Sequence, residues 1–467
     1  TMRLVEFRRR LATSVAWGHG TAAGAVGVVG AVLAFASPVA AARTSGPSGD
    51  EAPAVRTRRS ASSSAYPVRD GAEILQVHVL HRHGARTPFV SYPEMPEPGT
   101  ALWDTTWGRC RQPLTGMTTP KKRGRALAID AETAASGAAA HEDGFGSCAP
   151  GHLTERGEQE LEALGRFLRR SYLDGVPGGP LLHPSFPGDG EIEVTSTKTA
   201  RTIFSAQALL RGFFPGACKA ELDALVQVPR GFDTEILIAN HARCDRFRQL
   251  TNQARQRYEA GMVATAVRGF LAERYGREAA ERCTLVMSGE PLRSLEGHGA
   301  PRPSFIPEAM AMNMDHAAHE SVEFGLGLGN AEATRLGCGL LIADMRRQLR
   351  MAVDEQSGPR LVVRSAHDVS VVMLLIAHGL RTPSWPRFAS SVIVELLRDI
   401  QTGRFQIRVL AYDGSPIPDG PRVALADVTV PLEKWEEVVA PLILTEDEYV
   451  QECRLPPGTP TPPPNKW

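Results

Sequence analysis

An α/β fold, one main sheet with a mainly helical subdomain inserted into it, is predicted by three observations. Apolar strand-like runs alternate with helical stretches over residues 71–215 and again over 346–455. Between them, over 216–345, strand signals fade and helical segments dominate. Three of the strand-like runs end in clusters of Arg, His, Ser, Thr or Asp, as expected where an open sheet turns its carboxyl edge toward a ligand.

Taken in order, the chain opens on Arg8-Arg9-Arg10, an uncharged stretch over 11–42 and a small-residue end at Ala40-Ala41-Ala42. That order describes a secretory signal, and the span is also long enough for an uncleaved signal anchor; both readings stay open for residues 1–42. Residues 43–70, rich in Ser, Arg and Pro, read as a disordered linker. The first strand is expected over 73–80. A long connection over 89–151 follows, with an Ala/Gly-rich middle at 134–140. Thr154 is a good N-cap for a helix whose apolar stripe (Leu161, Leu164, Phe167, Leu168) runs to Tyr172. Residues 191–196 alternate as a strand and 200–214 read as a helix. The insert shows helix over 245–274 and 331–351, broken by a Gly/Pro stretch at 288–308. Strand returns at 360–365, helix at 369–379, and 391–397 with 405–410 suggests a closing hairpin. The tail, 456–467, is Pro-rich and lacks a hydrophobic segment, so no C-terminal span or lipid anchor is expected.

The formal net charge is zero, so no global pull toward nucleic acid or an anionic surface is expected. Membrane association is expected only through the N-terminal stretch. None of the seven cysteines stands in a CxxC or a Cys/His cluster, and no metal is expected. A secretory N-terminus makes disulfides the natural use of cysteine. Cys110 and Cys148 bracket the Ala/Gly-rich loop and form the most natural local pair, and the odd count leaves at least one thiol unpaired. No Asn-x-Ser/Thr sequon occurs, so no N-linked glycan is expected.

The most informative segment is Arg82-His83-Gly84-Ala85-Arg86-Thr87-Pro88, at the end of the first strand. Two guanidiniums beside an imidazole lower its pKa and keep a lone pair free for nucleophilic attack. The same guanidiniums form planar, permanently charged forks suited to phosphate oxygens. Gly84 admits a close backbone approach to a ligand or a positive φ, and Pro88 fixes the exit of the loop. A chance match to R-H-G-x-R-x-P in this composition is on the order of 10⁻³.

This segment resembles the signature of the histidine acid phosphatases, a branch of the histidine phosphatase superfamily. Two further segments carry the resemblance. Ser196-Thr197 followed by Arg201-Thr202 and Ser205-Ala206 is similar to the family's segment for a third phosphate-binding arginine, and Ser365-Ala366-His367-Asp368 to its C-terminal signature. Weaker echoes lie at Gly151 to Gly165, at Gly337-x-Gly339, and at Pro386-x-Phe388-Ala389-Ser390. The resemblance spans about 73–435. It departs from the pattern in the Ala/Gly loop, in the insert, and at Asp413-Gly414, where the family often has Asn-Gly.

The resemblance implies a three-layer α/β/α, phosphoglycerate-mutase-like sheet and an acid phosphatase acting on small-molecule phosphomonoesters. It assigns His83 as nucleophile, forming a phosphohistidine, and Asp368 as proton donor. Arg82, Arg86, Arg201 and His367 would bind phosphate, with no cofactor or metal. It is compatible with a homodimer and with a secreted, lysosome-like or membrane-anchored lumenal location. Phytase-like or sugar-phosphate specificity is the alternative within enzymes. Outside them stands a catalytically silent phospholigand-binding surface protein, which the presence of both His83 and Asp368 disfavours.

Overall fold

A seven-stranded mixed sheet organises the molecule, in the order β5 (Val226–Gln227), β4 (Ile192–Ser196), β6 (Leu361–Ala366), β1 (Ala72–Arg82), β7 (Ser391–Asp399), β8 (Phe405–Tyr412) and β9 (Ala424–Pro431). The computed structural model describes residues 71–111, 145–174, 176, 179–183, 190–229, 234–239, 241–382, 384–414 and 424–463. The expected signal or anchor, the linker, the Ala/Gly-rich stretch at 134–140 and the last four residues of the tail lie outside them.

A two-stranded ribbon, β2 (Cys110–Arg111) with β3 (Phe145–Gly146), stands apart. β1, β6, β4 and β5 run parallel, whereas β7, β8 and β9 add antiparallel neighbours. The expected closing hairpin therefore lies inside the sheet, and β9 closes it. Interior strands bury both faces, as β6 does throughout.

Both faces carry helices. Along β6, the Ser365 hydroxyl donates to the carbonyl of Thr202 on α3 (Ala200–Phe213), while the neighbouring Arg364 pairs with Asp344 on α10 (Ala331–Arg350). Successive side chains leave a strand on opposite faces, so α3 and α10 cover opposite sides. Alongside α3 lies α2 (Glu155–Tyr172), whose N-cap Thr154 accepts from the Gly157 amide and whose first turn is acidic. With α10 go α11 (Asp368–Ala377), α12 (Leu432–Val439) and α13 (Glu446–Glu452), packed in one cluster against Val392, Val394 and Leu396 of β7.

The helices between complete the order: α1 (Ala101–Trp107), α4 (Lys219–Ala224), α5 (Asp245–Glu259), α6 (Met262–Tyr275), α7 (Arg277–Arg282), α8 (Leu285–Gly297) and α9 (Glu308–Gly325). Their partition differs from the expected insert at 216–345. The apolar face of α10 (Leu336, Leu341, Ile342) belongs to the sheet's own cluster, as do Phe247 and Leu250 of α5. A second cluster joins α6 to α9 with Tyr92, Trp103 and Trp107 from the long connection after β1. The expected break at 288–308 begins instead as helix: α8 runs through Pro291 because Ser288, Pro291, Ser294 and Leu295 are buried there, and packing overrides local propensity.

Cys110 and Cys148 are bonded, as expected. A second disulfide, Cys244–Cys453, spans 209 residues and ties the start of α5 to the end of α13. Cys218, Cys283 and Cys338 are free thiols.

Candidate active site

Register brings five segments to one sheet edge. Arg82 lies opposite Ala366 across the parallel β1–β6 pair, and Ser196 lies opposite Ser365 across β4–β6. Residues just past these three strand ends are therefore neighbours. β7 begins and β8 ends at the same edge, with His81 opposite Ser391 and Ser391 opposite Tyr412. Backbone bonds fix the join: the His83 amide donates to Ala366 (3.0 Å), the Thr197 amide to Ser365 (3.1 Å), and the Ala389 amide to His83 (3.2 Å).

His83 is buried. Its Nδ1 lies 2.8 Å from the carbonyl oxygen of Gly84, which can only accept, so Nδ1 carries the proton and Nε2 the lone pair. Nε2 has no hydrogen-bond partner among the described residues. Burial, then Arg201, Arg82 and Arg86, hold the imidazole well below its ordinary pKa of 6.5. The two flanking arginines were expected to do this; burial leads instead, and the most effective arginine comes from α3.

Arg82 donates through Nη1 to the Pro386 carbonyl (2.5 Å) and pairs through Nη2 with Asp368 (2.8 Å). Its guanidinium lies 4.2 Å from the centroid of the Phe388 ring. Arg86 stacks on Phe89 at 3.9 Å and pairs with Glu290 of α8. The Nε atoms of Arg82 and Arg86 are buried donors without a partner among the described residues. Arg201 enters from the first turn of α3 and donates from Nη2 toward Nδ1 of His367 (3.3 Å). That leaves His367 Nε2 to donate to the Thr197 hydroxyl (3.0 Å). His367 is thus a neutral ring with both nitrogens engaged, its pKa pushed down to about 3 by burial and then by Arg201. For Asp368, burial acts upward, but Arg82 foremost outweighs it and brings the carboxyl down to about 2. Asp368 keeps 18% of its side chain exposed, so protons reach it.

The structure therefore gathers Arg82, His83, Arg86, Arg201, His367 and Asp368 at one edge. It adds residues that sequence reasoning missed. Glu290 also accepts from the amides of Phe89 (3.2 Å) and Val90 (3.5 Å), and so orders the loop carrying Arg86. The indole N–H of Trp385 donates to Asp368 (3.2 Å). Beneath the loop, Glu160 accepts from the Ala85 amide (2.8 Å). Only Phe388 had a sequence signal, in the echo before β7; Glu290 lay in the stretch expected to break the helical insert.

Gly84 serves a different purpose from the one expected. Its φ is not positive, and a Cβ there would sit 2.1 Å from the Gly157 carbonyl oxygen. The residue lets the loop approach the start of α2 backbone to backbone. Positive φ occurs instead at Ala389 (58°), in the turn that presents Phe388 to Arg82.

The model of the histidine phosphatase superfamily (branch 2) matches residues 73–411. Human lysophosphatidic acid phosphatase type 6 is 24% identical over 307 residues, covering 65% of this chain and 69% of that protein. Bovine lysosomal acid phosphatase is 26% identical over 321 residues, covering 66% and 73% respectively. Among solved structures, the apo form of Hafnia alvei phytase superposes with a TM-score of 0.54 at 13% identity, covering 83% of this chain and 99% of that one. The phytase from Klebsiella sp. ASR1 gives 0.52 at 15% identity, covering 82% and 100%. At those identities the structural likeness establishes the fold. A sheet edge that gathers these six side chains, this α/β fold and the match over most of the chain converge: the protein belongs to branch 2 of the histidine phosphatase superfamily, within its histidine acid phosphatase family of phosphomonoesterases.

Proposed function

We propose that the protein hydrolyses phosphate monoesters in acid through a phosphohistidine on His83. One observation carries the reading: a neutral His83, its proton held on Gly84, with an unpartnered Nε2 in the field of three arginines. Charge in phosphoryl transfer spreads over the phosphoryl oxygens, so fixed cations supply most of the stabilisation. Arg82, Arg86 and Arg201 bind those oxygens, and His367 donates to one of them once its Nε2–H leaves Thr197. Nε2 of His83 attacks phosphorus in line, the P–N bond forms as the P–O bond to the alcohol breaks, and Asp368 protonates the leaving oxygen. Water then attacks phosphorus, gives its proton to Asp368 and releases His83.

Asp368 is a carboxylate in the free enzyme, so its proton must arrive with the substrate. Phosphate monoesters take up a proton below about pH 6, and a bound anion offsets the pull of Arg82 on the carboxyl. Both effects place the optimum in acid, where His83 stays unprotonated because of its depressed pKa. Two disulfides and an acid optimum together suit an oxidising, acidic compartment of the secretory pathway.

His83→Ala is expected to abolish turnover and acid-labile ³²P labelling, read by rapid quench at pH 5. Labelling retained in that variant, or an optimum above pH 8, would overturn the reading.

A further inference from the structure

The cleft that contains Arg82, Arg86 and Asp368 is otherwise walled mainly by apolar side chains: Phe89, Val286, Met287, Val369, Trp385 and Phe388. Its remaining charges are Arg293 and Glu290, and both are committed. Arg293 donates to the Val286 carbonyl (2.7 Å), reaches Asp315 at 3.4 Å and lies 4.3 Å from the centroid of the Trp385 ring. Glu290 holds Arg86. A substrate with several phosphates would thus find no uncommitted cation for the second one among the described lining residues, and would face the Glu290 carboxylate. A hydrocarbon group would cover apolar wall and lose water from both surfaces.

We infer that this cleft selects esters with a single phosphate and an apolar alcohol, with Val286 and Met287 of α8 as specificity-determining residues. The inference rests on the assignment of Arg82, Arg86 and His83 as the phosphate site. Among the described residues no hydrogen bond, ion pair or ring contact joins the side chain of Val286 or Met287 to Arg82, Arg86 or His83, and both are only half-buried, so they can be changed without removing the phosphate site.

The test is an n-alkyl phosphate series from methyl to hexyl at pH 5, beside myo-inositol hexakisphosphate, reading phosphate release. Beyond ethyl the acidity of the alcohol is nearly constant, so the series reads contact with the wall. Burial of a methylene is worth about 0.8 kcal/mol at most, and kcat/KM is expected to rise about two- to fourfold per carbon. Val286→Ser with Met287→Ser should flatten that slope while methyl phosphate turnover stays within about threefold of wild type. Met287→Ser alone, expected to halve the slope, serves if the double variant does not fold. A flat wild-type series, an unchanged slope in the variants, or faster turnover of the hexakisphosphate than of hexyl phosphate would overturn the inference. Calorimetric binding of the matching alkylphosphonates separates the two claims. A flat affinity series beside intact hydrolysis defeats only the apolar wall, whereas a rising series without hydrolysis defeats only the phosphatase reading.

Discussion

An imidazole that attacks phosphorus in acid must remain unprotonated there, while the group that protonates the leaving oxygen must hold a proton. In the proposed mechanism, residues at this edge divide those demands. His83 is buried among arginines and kept neutral, and the same arginines strip Asp368 until an anion arrives. The division predicts a leaving-group effect. Asp368→Asn should lower kcat about a hundredfold or more for an alkyl phosphate and far less for p-nitrophenyl phosphate, whose p-nitrophenolate leaving group needs little protonation. Equal losses on both, measured at one pH, would leave Asp368 a positioning role only. Trp385 and Arg82 both hold the Oδ2 atom of that carboxylate, and neither contact follows from sequence spacing.

Helix packing sets how tightly the loop after β1 is held. Gly84 and Gly157 let the loop and α2 touch backbone to backbone, and a Cβ on Gly157 would lie 2.2 Å from the Ala85 carbonyl oxygen. Between α2 and α3, a Cβ on Gly212 would lie 2.1 Å from the Glu162 carbonyl oxygen. Overpacking of this kind costs about 1–3 kcal/mol, and more where only backbone can move. The two positions should separate stability from function. Gly212→Ala should lower the melting temperature by several degrees with KM unchanged, whereas Gly84→Ala should also cut kcat by tilting His83. Thermal unfolding and steady-state kinetics on both variants check this, and a Gly84→Ala enzyme with normal kcat would refute it.

At the scale of the whole molecule, acid activity and acid stability pull apart. His81, His241, His298 and His367 are pushed down, by burial first, to about 4, 3, 4 and 3. Their stabilising share is complete above the unfolded pKa of 6.5 and is lost as pH falls toward the folded values. Glu160 acts oppositely: burial raises it to about 7, so its share is complete below 4.5 and is lost as pH rises through 7. For these five groups the balance is a net uptake of protons on unfolding, and His78, His83, His152, His319 and His378 are pushed down in the same direction. Each unmatched proton costs about 1.4 kcal/mol per pH unit, so the share of the five groups in the loss from pH 6.5 to 5 is on the order of 5 kcal/mol. Denaturant titrations at pH 7, 6 and 5 should show this fall, and Glu160→Gln should steepen it; a flat profile would contradict the account. The Cys244–Cys453 link opposes the loss. Replacing both cysteines with serine should cost about 2–4 kcal/mol, read by the same titrations, and a non-reducing peptide map should recover both disulfides.

How much of this was legible in the sequence follows from the range of each interaction. Strand ends, the Thr154 cap, α2, α3 and α11 are local patterns of apolar spacing and capping, and they stand where those patterns put them within a few residues. The R-H-G-x-R-x-P, Arg201 and His367-Asp368 segments were legible because each sits at a strand end, and a parallel sheet places such ends side by side. Contacts between distant segments were not legible. Glu290 against Arg86, Phe388 on Arg82, Gly84 against Gly157 and Cys244 with Cys453 join residues about 70 to 300 positions apart, where no local pattern speaks. The order of residues thus specifies the chemical groups and the sheet edge that carries them. Their protonation, their committed partners and the apolar wall beside them are set by burial and long-range contact, and neither exists until the chain has folded.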